Sequence, residues 1–161
     1  MQTLTATKKG VVIGFVLIIT SIITFYLLHL PENGNSQYLT IGLYIIGVFW
    51  ILFSYKKNAT NLGVKSFFTE GFKGFIVVTL LMVVYTFVFY KLNPQILEKG
   101  IAENNELIKL EGNKTLAEIR ENENKLRSMF MPMMLMLNTI KYLILGALVS
   151  LVMGTFLSQK K

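Results

Sequence analysis

The residue best placed to do chemistry in this chain is Lys141. It interrupts an apolar run at residues 133–157, one helical turn after Asn138. A cation inside a membrane-crossing helix is costly, so it marks an ion or substrate path by default. Lys141 nevertheless lies 16 residues before Leu157, close to one end of the run. A lysine there can extend its ammonium to the lipid headgroups, and Asn138 and Tyr142 suit the same interface. The interfacial reading is the simpler of the two; the ion or substrate role is the sharper.

Thr20, Ser21 and Thr24 form a polar patch in an N-terminal apolar run. Their hydroxyls could line a path, or they could bond to carbonyls of their own helix. His29, at the end of that run, is an interfacial residue or a pH sensor. Gly146, Ser150 and Gly154 recur every four residues and make a smooth ridge that another helix can approach. That helix belongs to the same chain or to a second copy, and Gly10 and Gly14 could serve similarly. The five methionines at 129, 131, 133, 134 and 136 carry thioethers, which are Cu(I) ligands. Nothing in the sequence brings His29 to them, and flexible apolar packing accounts for them more simply.

Absences bound the chemistry further. The chain has no cysteine, no aspartate and one histidine. Disulfides, thiolate nucleophiles and Cys-ligated metals are thereby excluded. No acidic residue lies inside an apolar segment, which argues against a carrier built on a buried carboxylate. No phosphate loop, nucleophile triad or zinc-protease motif is present. The expectation is no catalytic residue, no metal and no cofactor, hence no enzyme. The net charge of +7 could point to nucleic acid, but the distribution of lysines around apolar segments fits a membrane protein better, and no nucleic-acid partner is expected.

The elements that would hold these residues follow from the apolar runs. Of 161 residues, 53% are hydrophobic and 16% charged, and the mean hydropathy is +0.54. Residues 10–30 carry no formal charge, a length of 21 that spans roughly 30 Å as a helix. That run is too long for a signal-peptide core and lacks a small-x-small site. Further spans are predicted at 38–55, 72–90 and 133–157. The turn-rich link at 31–37 makes the first two an antiparallel pair, and Ser66 is the expected N-cap of the third. Residues 94–128 hold seven of the nine acids and read as two amphipathic helices about Gly112-Asn113. Pro94 suits the first turn of one and Asn113 the N-cap of the other. Pairing about that turn places Asn104 beside Glu121 and Glu123. The expected fold is all-α: four transmembrane helices in one membrane domain, 1–161, plus an extracytoplasmic two-helix hairpin between helices 3 and 4.

Charge sets the expected orientation. The tails and residues 56–73 carry eight lysines against one acid, packed into short segments. The other side spreads eight basic residues among eight acids. The denser side is expected to face the cytoplasm, termini included, with Pro31, Pro94 and Pro132 outside at segment ends.

Several of these features occur together in one family. They are Lys8-Lys9 before the first run, Ser66-Phe67-Phe68-Thr69-Glu70-Gly71-Phe72-Lys73-Gly74-Phe75, Asn93-Pro94, the glutamate-rich hairpin, Phe130-Met131-Pro132 and Lys160-Lys161. In these the chain resembles the domain-of-unknown-function 4199 family of small bacterial membrane proteins. The resemblance implies a bacterial cytoplasmic (inner) membrane and carries over no functional residue. The expected role is a non-enzymatic structural or accessory component. Its partners would be the lipid bilayer and either a second copy or a membrane protein met through the outer hairpin. The alternative is a small oligomeric transporter or channel.

Overall fold

Inside a bilayer no water is available to backbone N–H and C=O groups, so an apolar stretch satisfies them best as a helix. In the computed structural model, which describes residues 4–29, 35–58, 63–112 and 114–158, every regular element is helical. Helix α1 (Ala6–Ile22) opens on Thr5, whose hydroxyl accepts from the Lys8 N–H at 3.4 Å. It continues into a π-helical turn, Ile23–Leu27, closed by the Leu28 N–H donating to the Ile23 carbonyl at 3.1 Å. The Thr24 hydroxyl donates to the Thr20 and Ser21 carbonyls at 2.9 and 3.0 Å. Such competition for carbonyls loosens the regular ladder and suits the wider turn.

Helices α2 (Asn35–Asn58), α3 (Val64–Leu92), α4 (Gln95–Glu111) and α5 (Leu116–Ser158) follow. Ala6–Leu27, Gln37–Asn58, Val64–Leu92 and Leu116–Ser158 are each long and apolar enough to cross a membrane. By length and composition this is a membrane protein.

Two boundaries differ from expectation. Ser66 is not an N-cap: α3 starts at Val64, and the Gly63 carbonyl accepts from the N–H groups of Ser66 and Phe67. Pro132 does not begin the last helix. It lies inside α5, which runs unbroken through it. Proline removes one N–H and crowds the carbonyl four residues back, a local defect that a long helix can carry as a kink. The turn at 31–34 and Asn113 lie outside the described residues. The start of α5 is instead secured by Thr115, whose hydroxyl accepts from the Glu118 N–H at 3.3 Å, while the Glu118 carboxylate accepts from the Thr115 N–H at 2.7 Å. This is a reciprocal capping box.

The chain forms two compact units. One comprises Met1–Val83 and Thr139–Lys161, the other Val84–Asn138. In the first, glycines let helices meet at backbone distance. A Cβ at Gly10 would lie 2.5 Å from the Gly74 carbonyl oxygen, and one at Gly47 2.7 Å from Ile13. Gly71 faces Ser150 and Leu52; Gly146 faces Tyr44 and Phe75; Gly154 faces Phe67. The order of these contacts makes α1 antiparallel to α2, α2 antiparallel to α3, and α3 antiparallel to α5. Leu17, Tyr44, Val48, Ile51, Leu52 and Phe75 fill the interior. The Tyr44 hydroxyl donates to the Tyr142 carbonyl at 2.7 Å, with the two rings edge-on.

In the second unit, Arg127 makes a forked ion pair with Glu98, one arm at 2.8 Å, and also meets Glu123 at 2.8 Å. Ile101, Ile108 and Ile119 are buried. The polar contact expected of Asn104 is made by its neighbour: Asn105 Nδ2 donates to Glu123 Oε2 at 3.5 Å, whereas Asn104 Nδ2 is buried without a hydrogen bond. Both asparagines flank the Ile101–Ile108 seam at three- and four-residue spacing, so either can reach across it.

Candidate functional site

The alternating helix directions collect one set of ends in the first unit: the start of α1, the end of α2 and the start of α3. Their lysines follow, with Lys8, Lys9, Lys56, Lys57 and Lys65 at those ends. Between the helices lies a cavity of about 210 Å³ lined by Thr5, Lys9, Ser54, Tyr55, Asn58 and Glu70, with Leu4, Ala6 and Ile51.

Lys9 is 7% exposed, although its neighbour Lys8 is solvent-facing. The reason is the close approach of Gly10 to Gly74, which draws the first turn of α1 onto α3. The Lys9 ammonium sits 5.6 Å from the centre of the Trp50 ring, within cation–π range. Glu70 is joined to Lys73 one turn later, at 2.9 Å. The Ser54 hydroxyl donates to the Trp50 carbonyl at 2.7 Å, and Asn58 Nδ2 to the Ser54 carbonyl at 2.7 Å. Both side chains are thus held on the wall of α2 with their oxygen lone pairs available as acceptors.

The residues singled out from sequence fall elsewhere. Thr20 and Thr24 donate to carbonyls of their own helix, Thr20 to Val16 at 2.8 Å. His29 is exposed with a φ of 49°, a left-handed conformation that stops the helix. Lys141 is half-buried, its ammonium 5.0 Å from the centre of the Tyr142 ring. Asn138 is half-buried in the second unit. Gly146, Ser150 and Gly154 are buried against helices of the same chain, and the Ser150 hydroxyl, fully buried beside Gly71, makes no hydrogen bond. Met129, Met133 and Met136 are exposed on α5. Among the described residues no three His, Cys, Asp or Glu side chains gather as a metal site requires.

Lys9 and Glu70 were read from sequence as topological charges only. Their placement beside Gly10 and Gly71, small residues that favour close helix approach, was the available signal that both could be drawn inward. A second feature missed from sequence is a group of exposed leucines in the other unit. Leu107, Leu110 and Leu116, in the turn region of a highly charged segment, are 62%, 84% and 74% exposed.

No curated protein and no solved structure matches the chain. A family model, described as a protein of unknown function, matches residues 8–159. With nearly its whole length covered by that match, the protein belongs to the DUF4199 family.

Proposed function

We propose that the protein is a non-enzymatic structural or accessory component of the bacterial cytoplasmic membrane. It crosses four times with both termini in the cytoplasm. Helix α4 and the first part of α5 form an extracytoplasmic hairpin that meets another membrane protein. The observation that carries this reading is the exposure of Leu107, Leu110 and Leu116 among charged neighbours near the turn. An apolar centre with a polar rim is the anatomy of a protein contact surface.

The non-enzymatic part is supported by how the hydroxyls are engaged. Thr20, Thr24, Thr79 and Tyr44 donate to backbone carbonyls and serve helix geometry. The same bonds lessen support for a transporter lined by the Thr20–Thr24 patch.

The test is a photo-crosslinking residue at Leu110 in the full-length protein, in membranes. A discrete adduct to a second membrane polypeptide is expected, weakened by Leu107→Glu. Adducts to lipid alone, or none, would remove the partner role.

A further inference from the structure

We propose that the cavity between the lysine-rich ends of α1, α2 and α3 binds a phosphate oxyanion supplied by an anionic phospholipid headgroup, with the Lys9 ammonium as its counter-ion. The proposal rests on the membrane reading above, and it assigns that protein a lipid site distinct from the exposed leucines.

The first argument is a largely buried ammonium with no hydrogen-bond acceptor. A buried ammonium must find a counter-charge and acceptors or it destabilises the fold. Lys9 is 7% exposed and lines the cavity. Glu70, the carboxylate on the same cavity, acts on Lys9 through its charge but is ion-paired with Lys73. Among the described residues no carboxylate lies within 4.0 Å of the Lys9 ammonium and no hydrogen bond to it is formed; its contact is the Trp50 face. That contact leaves the ammonium's N–H donors without a hydrogen-bond acceptor.

The second argument is the field around that space. Thr5 and Ala6, the cap and first residue of α1, line the cavity. The first N–H groups of a helix have no intrahelical partner and carry its positive end, which favours an oxyanion. Lys8, Lys56, Lys57 and Lys65 are exposed at the same helix ends. They draw anionic headgroups toward the opening.

The third argument is fit. The volume of about 210 Å³ exceeds one water's share of liquid, about 30 Å³, several-fold. Ser54 and Asn58 have their donors turned to the backbone and their oxygens left as acceptors. A phosphate beside Lys9 with a headgroup hydroxyl beside Ser54 and Asn58 would engage both kinds of wall. Phosphatidylglycerol carries both groups, so it is the probe of choice.

The full-length protein is placed in nanodiscs of phosphatidylcholine with or without phosphatidylglycerol, and its melting temperature and the lipids retained in native mass spectrometry are measured. Incorporation of the wild type into the discs reports the membrane reading independently. The expected result is a raised melting temperature with phosphatidylglycerol and about tenfold enrichment of that lipid among those retained, the scale of one charge-assisted contact. Lys9→Met should abolish both effects, Lys9→Arg should keep them, and Lys125→Met, on α5 in the other unit, should change them little. Ser54→Leu, which fills the cavity and leaves the ammonium in place, should also abolish them and serves if Lys9→Met does not fold. A Lys9-dependent stabilisation by inorganic phosphate in pure phosphatidylcholine, with no phosphatidylglycerol effect, would keep the oxyanion site and overturn its lipid source. Equal responses in wild type, Lys9→Met and Ser54→Leu would overturn the site.

Discussion

Gly10 and Gly42 are both helical glycines, yet their surroundings predict opposite outcomes. A Cβ at Gly10 would collide with backbone, the Gly74 carbonyl, which cannot move without separating α1 from α3. Gly10→Ala should therefore destabilise the protein by roughly 1–3 kcal/mol, the usual scale of overpacking. Gly42 has nothing within 4 Å of its would-be Cβ. Gly42→Ala should leave stability unchanged or raise it by up to about 1 kcal/mol through helix propensity. Thermal unfolding of the two variants in one detergent checks the pair, and a larger loss for Gly42→Ala would contradict the packing described. Ser150 offers a converse case. Its buried hydroxyl lacks a hydrogen bond, so Ser150→Ala removes an unsatisfied group at little cost in shape. It should be neutral or stabilising, and a marked drop in melting temperature would mean that the hydroxyl has a partner.

Two elements carry their own predictions. In α5, Pro132 withholds one N–H from the helix ladder and presses on the Ser128 carbonyl. Pro132→Ala should restore that bond, and amide hydrogen exchange across 128–136 should slow. Unchanged exchange there would mean that α5 is interrupted in solution. In α4, the Glu98 carboxyl is held below the usual carboxylate range, first by the hydrogen bond from Arg127 and further by that guanidinium's charge. A carboxylate with a lowered folded-state pKa adds stability that is present above its unfolded value, about 4.3. That stability is lost as pH falls through the lower folded value. Exchange in α4 should therefore quicken below about pH 4 in the wild type. Glu98→Gln should lose this component of the pH dependence. Both partners of the pair are largely exposed, so the effect should be small and should shrink with salt.

At the scale of the whole chain, alternating helix directions in the first unit place the start of α1, the end of α2 and the start of α3 together. Lysine-rich ends of this kind are retained on the cytoplasmic side. Reporter fusions after Lys57 and Lys161 should be active in the cytoplasm, and a fusion after Gly112 should be active outside. A cytoplasmic signal at Gly112 would overturn the proposed orientation while leaving the helix packing intact.

The number and approximate extent of the apolar helices were legible in the sequence, because crossing a bilayer needs about 20 consecutive apolar residues and hydropathy sums locally along the chain. The helical class followed for the same reason, since lipid offers the backbone no other partner. Positions that depend on distant neighbours were not legible. Lys8 and Lys9 are adjacent and chemically identical, yet only Lys9 is buried, because α3, more than 60 residues later, supplies the glycine that draws α1 inward. Asn104 and Asn105 were equivalent in spacing, and only the geometry of the opposing helix decided that Glu123 meets Asn105. Pro132 reads locally as a helix start, but the turn before it was already wound from Thr115 onward, and one missing hydrogen bond did not outweigh a continuous helix. Local hydropathy sets where helices form; which of their side chains become buried, paired or left facing a cavity is decided only when the helices pack.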